Sequence, residues 1–328
     1  MKNASLVTSA CAMLLIAAPA LAHHGVAGVG AAGLNGPGAP VESGASTVLP
    51  EDKVLAYFKV DHAQFKTYDW AAPNEKYARF TMLGLGYGFT PWFSAYAFVP
   101  YHEKIQEAGG MDSIGMADVS LMGQVGFKYD QEFVLIPKNE SLDDLEDWHF
   151  SLTFGSTLPT GNANHRLADG SIVPGKSHGF GKPAYTVGLT ATKTLTDKLT
   201  VSFETSALRF QEYRYADGQR VRFGDEDRFN TAFSYRAYTN AEAMFRLDPV
   251  IELQYLNLGR DIEGGVGATG TGGAILYTVL GVRAYWDSNS FALGYKVPVS
   301  SNLNEANQQQ GAEGKEKYRL IFSVSRMF

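Results

Sequence analysis

Cysteine is almost absent from the sequence, since Cys11 is the only one among 328 residues. It lies in an apolar N-terminal stretch, residues 1–22, that we predict to be a signal peptide removed on export. The expected mature chain begins at His23 and carries no thiol. This excludes disulfides and thiolate metal sites from the mature protein.

The signal-peptide prediction rests on three features of residues 1–22. Lys2 supplies a short positive region, residues 6–18 form an apolar core, and Ala20-Leu21-Ala22 is a small-x-small cleavage site. The apolar core is too short for a stable membrane helix. We therefore expect cleavage after Ala22.

Long hydrophobic runs and an excess of positive charge are also lacking. After the signal peptide no stretch of about eighteen apolar residues occurs, although hydrophobic residues make up 45% of the chain. The formal net charge is -6, and loss of Lys2 would make it more negative by one. These features exclude a later transmembrane helix and argue against a basic nucleic-acid-binding protein.

The main positive signal is a two-residue alternation of apolar and polar side chains from Lys53 onward. In the first segment Phe58 and Val60 fall on one face, while Lys59 and Asp61 fall on the other. Such alternation predicts half-buried β-strands. Twelve segments show it, at roughly 53–66, 77–89, 92–103, 115–130, 147–158, 184–195, 198–211, 228–239, 249–260, 273–287, 289–299 and 316–328.

The connections between these segments alternate between short and long. Short turns such as 90–91 and 196–197 join some neighbours, and long polar loops such as 159–183 and 300–315 join others. This is the pattern of an antiparallel up-and-down transmembrane β-barrel, with tight periplasmic turns and longer outer loops. Residues 51–328 are predicted to form such a barrel of about 12 strands, and a soluble β-sandwich is the alternative.

The last predicted strand carries a C-terminal pattern typical of outer-membrane proteins. Tyr318, Leu320 and Phe322 share its apolar face with Phe328, the final residue. Arg326 departs from the pattern, but its long side chain can reach the lipid headgroups. We therefore expect outer-membrane lipid and the barrel assembly machinery to be partners of the chain.

The expected inward faces of the strands carry charged and amide side chains. Within a membrane such groups must be paired or hydrated. Twelve strands lie between small filled barrels and wide open porins, so we predict a narrow or gated lumen. The candidates for lining it are Lys59, Asp61, Gln124, Lys128, Glu204, Arg236, Glu252, Gln254, Arg283, Lys296 and Arg319.

Residues 23–50 form a Gly/Ala-rich lead with no helix or strand period, which we interpret as flexible. It can enter the lumen as a plug or hang in the periplasm. His23 and His24 at its start, together with the free amine, offer nitrogen ligands for Cu(II), Ni(II) or Zn(II). His102, His165 and His178 fall in outer-end loops, where they could collect near the mouth with Glu103 or Asp169, but we expect scattered, solvated histidines.

The middle of the chain resembles a family of outer-membrane transporters named for the meta-pathway of phenol degradation. The resemblance rests on the segment 151–161, which runs into Leu158-Pro159-Thr160-Gly161, on 97–101 with its Val-Pro-Tyr end, and on 115–121 around Asp118. It implies a barrel that passes small molecules, hydrophobic or aromatic ones if the name reflects the cargo. Pro100, Pro159 and Pro298 are interpreted as ends of upward strands.

Two further motifs resemble functional sites but lack the surroundings that those sites require. Gly265–Gly270 matches the letters of a dinucleotide fingerprint, but the following segment has the period of a strand instead of the required helix. His149 and Ser151 suggest a hydrolase, although the alternation places both inward and no orienting third group is evident. We expect neither an enzyme nor a cofactor.

The sequence thus ranks three functions. A passive outer-membrane channel for a small-molecule solute is first. A barrel that captures a metal ion or a partner without transport is second, and an outer-membrane hydrolase is last.

Overall fold

The computed structural model describes residues 36, 38–66, 75–106, 112–142, 144–304 and 316–328. Within them, twelve long antiparallel strands pair in sequence order, and the last pairs with the first to close a barrel. The bounds are β1 Val54–Phe65, β2 Glu75–Thr90, β3 Phe93–Gln106, β4 Ser113–Met116 continued by Ser120–Asp130, β5 Trp148–Thr157, β6 Ala184–Thr196, β7 Leu199–Arg209, β8 Glu226–Tyr235, β9 Phe245–Leu258, β10 Gly273–Trp286, β11 Asn289–Leu303 and β12 Glu316–Met327.

Closure of the barrel follows from the even number of strands. β1 and β12 run antiparallel, with Phe58 opposite Val324 and Val60 opposite Phe322. An antiparallel meander can close on itself only when its first and last strands run in opposite directions. The predicted all-β, up-and-down barrel of twelve strands is therefore confirmed.

The alternation of side chains places apolar groups outward and polar groups inward. On β5, Leu152 and Phe154 are 41% and 46% exposed, whereas His149 and Ser151, which precede them on the strand, are buried. Leu293 on β11 and Phe322 on β12 continue the exposed apolar belt. A belt of this kind suits contact with lipid chains, because apolar side chains need no hydration.

The two ends of the barrel differ in their connections. At one end, here called the turn end, two-residue links 91–92, 197–198 and 287–288 join neighbouring strands. At the opposite end, the loop end, lie long connections such as 158–183 and 259–272. The start of β1 and the end of β12 both lie at the turn end.

Two connections at the turn end are longer than two residues. The link 131–147 contains a short strand, Glu132–Leu135, that pairs with the end of β4. The link 236–244 contains Tyr238–Asn240, which pairs with the start of β9.

The interpretation of two prolines as strand ends is wrong. β3 continues from Pro100 to Gln106, and β11 continues from Pro298 to Leu303. Pro100 lies where the neighbouring strand β4 is interrupted at residues 117–119, so its missing N–H costs no ladder bond. Pro298 lies at a register shift with β10, where a bulge already disrupts the pairing.

The long loops at the loop end form a small sheet of their own. It consists of the short strands Tyr213–Arg214, Arg220–Arg222, Ile262–Glu263 and Val266–Gly267. The glycines of the dinucleotide-like motif lie in this sheet and the turn after it. In the described part of the chain, no helix has the length and hydrophobicity needed to span a membrane.

Candidate functional site

The interior of the barrel contains residues 38–50, here called the inner segment. The backbone N–H of Gly38 donates to Asp248 Oδ2 at 3.2 Å near the turn end of β9. The segment reaches across the lumen at residues 42–45 and returns to the turn end, where the N–H of Asp52 donates to the carbonyl of Gly88 at 2.8 Å. The chain therefore enters the barrel from the turn end and leaves it there.

Glu252 on β9 holds the first half of the inner segment. Its Oε1 accepts the backbone N–H groups of Val41 at 2.6 Å and Glu42 at 2.9 Å. Its Oε2 accepts the N–H of Ser43 at 2.8 Å and the Ser43 hydroxyl at 2.5 Å. Glu252 is fully buried, so this carboxylate depends on these donors for the solvation that water would otherwise supply.

Glu42, at the far point of the segment, forms two ion pairs with the wall. Its Oε2 lies 3.0 Å from Lys296 Nζ on β11, and its Oε1 lies 3.6 Å from Lys59 Nζ on β1. The Lys296 ammonium also lies 4.4 Å from the ring centre of Tyr277. Glu42 is not among the residues that the sequence predicted to line the lumen, although it is the only acidic residue in 23–50. A single carboxylate in a stretch of small residues is the sequence feature that could have identified it.

Apolar contacts hold the two arms of the inner segment, residues 38–41 and 46–50, against the wall. Val41 belongs to a buried cluster with Val250, Val279 and Ile321 of the wall. Leu49 belongs to a second cluster, whose other buried members are Leu55, Tyr57, Met82, Tyr96, Phe98 and Met122. The wall thus has two apolar sockets, one for each arm.

Glycines in the wall make room for these arms. A Cβ at Gly281 would lie 2.7 Å from Cγ2 of Val41, and one at Gly126 would lie 2.5 Å from Cγ2 of Val48. Both distances are too short for a real contact. The lack of a side chain at these positions is therefore part of the fit between segment and wall.

Four other predicted lining residues also touch the inner segment, one of them Gln254, which donates to the Ser43 hydroxyl at 3.3 Å. Gln124 donates to the carbonyl of Ala45 at 3.1 Å, and Arg283 donates to the carbonyl of Pro40. Glu204 Oε2 accepts the N–H of Gly44 at 2.9 Å. Together with Glu252, Lys59 and Lys296, these side chains contact the segment from several sides.

The remaining predicted lining residues have other partners. Arg319 binds Glu316 at 2.7 Å and lies 3.6 Å from Asp61, both inside the barrel. Lys128 lies at the turn end, 3.0 Å from Glu140 of the link 131–147. Arg236 follows β8 at the same end. Those last two residues do not contact the inner segment.

A cavity of about 50 Å³ that opens to solvent remains between the inner segment and one side of the wall. Strands β5 to β9 form its outer side. Its lining residues are Glu42, Gly44, Ala45, Thr153, Thr186, Gly188, Thr190, Glu204, Ser206, Leu208, Arg228, Asn230 and Gln254. No aromatic side chain is among them.

Three histidines meet at the loop end. The ring centres of His165 and His178 lie 4.1 Å apart, and those of His102 and His178 lie 5.0 Å apart. The expectation of scattered, solvated histidines is wrong, because the loop 158–183 folds back over β3 and buries His102 and His178. Even so, no group of three or more metal-ligating side chains in the described ranges is arranged to hold an ion.

The metal-ligand prediction for His23 and His24 lies outside the described residues and stays a prediction. The side chains considered for a hydrolase have other partners. His149 Nε2 lies 2.7 Å from Glu140 Oε1, and the Ser151 hydroxyl accepts a bond from Gln124 at 3.0 Å. Neither hydrogen bond joins His149 to Ser151.

Two of the motifs behind the family resemblance contact each other. Asp118, in the break of β4, accepts the N–H of Gly161 at 2.8 Å and that of Phe180 at 2.8 Å. The Thr160 hydroxyl accepts the N–H of Val119 at 2.9 Å. These bonds fasten the loop 158–183 to the barrel rim, which is a structural role.

Comparison with known proteins finds no matching family model and no matching curated protein. Among solved structures, the chain is similar to an outer membrane channel from Pseudomonas putida F1, with a TM-score of 0.67 and 14% identity over 88% of this chain and 100% of that one. The NanC porin aligns with a TM-score of 0.46 and 9% identity, over 83% and 98% of the two chains. The β domain of the Bordetella autotransporter BrkA aligns with a TM-score of 0.46 and 11% identity, over 84% and 100%.

The likeness to the Pseudomonas channel shows the fold alone. This chain has the fold of an outer-membrane β-barrel. Membership of the family named for phenol degradation stays a prediction.

Proposed function

We propose that this protein is a passive outer-membrane channel for small molecules whose conductance is set by the inner segment. The observation that carries the proposal is the clasp between Glu252 and the backbone of residues 41–43 inside the barrel. A segment bound through three carboxylates of the wall and two ion pairs is held firmly, yet it can be released without breaking any strand pairing.

The membrane assignment is supported by the apolar belt and by the two kinds of connection. In barrels of this class the short turns face the periplasm and the long loops face outward. The turn end is then periplasmic, and the inner segment enters the lumen from that side. The export signal predicted in residues 1–22 agrees with this placement.

The bonds that hold the segment suggest a gate. Charge-assisted hydrogen bonds contribute about 1.5–3 kcal/mol each when buried, so the clasped state dominates at equilibrium. Brief release of residues 41–45 would join the cavity to the space that the segment fills. The channel is therefore expected to conduct in rare, small steps, unlike a wide general porin.

A reversible cross-link tests the gate directly. Thr192 Oγ1 accepts the backbone N–H of Ser46 at 3.3 Å, which places β6 against the segment. We expect the variant Ser46→Cys/Thr192→Cys, made with Cys11→Ser, to form a disulfide that abolishes single-channel events in planar bilayers. Reduction should restore them.

The matched control is the single variant Ser46→Cys in the same Cys11→Ser background. It should conduct equally under oxidising and reducing conditions. Equal conductance of the oxidised and reduced double variant would show that the segment does not gate the barrel. Absence of events in every form would show that the protein is no channel.

A further inference from the structure

The cavity beside the inner segment has hydrogen-bonding groups with no protein partner. The Nε–H of Arg228 on β8 is buried and has no acceptor within the described residues. On β7, Glu204 uses Oε2 for its bonds to Gly44 and Asn230, and its Oε1 accepts no hydrogen bond from the described residues. A buried donor and an available acceptor thus line the same cavity.

The strand register explains why there is space at this place. Thr153, Gly188, Ser206 and Arg228 lie directly opposite one another on β5, β6, β7 and β8. Three of these four side chains are small or absent, so the wall is thin along this row. The inner segment approaches the cavity only through residues 42–45, which leaves the row uncovered.

The charges around the cavity compensate one another. Glu42 is paired with Lys59 and Lys296, and Arg228 binds Glu226 at 2.6 Å. Glu42, Glu204 and Arg228 are the charged side chains that line the cavity, and together with their ion-pair partners they amount to three carboxylates and three cationic side chains. A solute with a net charge would upset this balance, so the cavity suits a neutral molecule.

We propose that this cavity is a binding subsite for a small, uncharged, polyhydroxylated solute. A hydroxyl group both donates and accepts, so one such molecule can satisfy Glu204 Oε1 and Arg228 Nε together. The hydroxyls of Thr153, Thr186 and Ser206 supply further partners. An aromatic hydrocarbon would leave the buried donor unpaired and would meet no aromatic ring.

As a step in transport this inference rests on the proposed function, but binding can be measured without conduction. Glucose is the probe, benzene is the aromatic comparison, and calorimetry on the full chain in detergent is the measurement. We expect saturable binding of glucose and none of benzene. The variant Thr153→Val/Ser206→Ala, which removes two lining hydroxyls, should weaken glucose binding at least about tenfold.

Thr205→Val is the matched control, since Thr205 neighbours Ser206 on β7 but is exposed on the outside of the barrel. It should bind glucose as the unaltered protein does. Absence of glucose binding, binding of benzene that competes with glucose, or an equal loss in Thr205→Val would overturn the inference. Conduction without glucose binding would refute the subsite alone, whereas glucose binding without conduction would refute the channel alone.

Discussion

Glu252 Oε1 accepts the backbone N–H of Val41 at 2.6 Å across 211 positions of sequence. This contact joins the middle of β9 to the segment that precedes the barrel. It is a bond between a fully buried side chain and a backbone group, so it specifies where the segment lies but not which side chain Val41 must have.

Removing the charge of Glu252 should release the inner segment. In Glu252→Gln the amide has one acceptor oxygen in place of two and no charge. We expect the backbone amides of residues 41–43 to exchange hydrogen roughly tenfold faster or more, since hydrogen bonds to a charged group contribute ~1.5–3 kcal/mol. Hydrogen-exchange mass spectrometry in detergent measures this, and bilayer conductance should rise in parallel.

Glu103→Gln is the control for this substitution, because Glu103 pairs with the partly exposed Arg79 near the loop end. It should leave exchange in residues 41–43 unchanged. Unaltered exchange in Glu252→Gln would mean that the clasp does not hold the segment.

The ion pair between Glu42 and Lys296 should show energetic coupling. We expect Glu42→Gln and Lys296→Met each to increase the frequency of channel opening, and the double variant to add little to either single change. The reason is that both single changes break the same 3.0 Å contact. A double-mutant cycle on opening frequency in planar bilayers measures the coupling, and strictly additive effects would contradict a shared contact.

A side chain added at a wall glycine that touches the inner segment should displace one arm of the segment without altering a charge. In Gly126→Ala the new methyl would lie 2.5 Å from Cγ2 of Val48, so the arm has to move. We expect more frequent channel opening together with unchanged barrel folding, measured by the heat-modifiable shift on electrophoresis. Gly267→Ala, whose methyl would have no neighbour closer than 4.0 Å, is the control and should behave as the unaltered protein.

The histidines at the loop end should make the loop 158–183 sensitive to acid. Burial, followed by the positive charges of His165 and Lys104, lowers the pKa of His178 from 6.5 to about 4. Because the folded state disfavours protonation, its stability is retained above pH 6.5 and falls as the pH drops from 6.5 towards about 4. Exchange in the loop, corrected for intrinsic rates, should therefore rise between pH 7 and pH 5.

His178→Gln should flatten that pH profile, since glutamine does not titrate. His62→Gln is the control, because His62 lies on β1 away from the loop. A profile that stays steep in His178→Gln would assign the acid sensitivity to another group.

The barrel could be predicted from local patterns in the sequence. The two-residue alternation predicts which side chains of each strand point inward and which point outward, without information from the neighbouring strands. The lengths of the links indicate the order and direction of the strands. His149 and Leu152 on β5 illustrate this, since each lies on the side of the wall that alternation predicts. The inward position of Glu204, Glu252 and Lys296 follows from the same rule.

The contacts of those inward groups could not be predicted from the same local patterns. Glu42 belongs to a stretch without periodicity, so no local pattern predicts that it lies between Lys59 and Lys296. Pro100 is likewise tolerated inside β3 because the adjacent strand β4 is interrupted opposite it, and no local pattern shows that pairing. The physical reason is that a strand's face is a local property of the backbone, whereas the contents of the lumen depend on contacts between residues hundreds of positions apart.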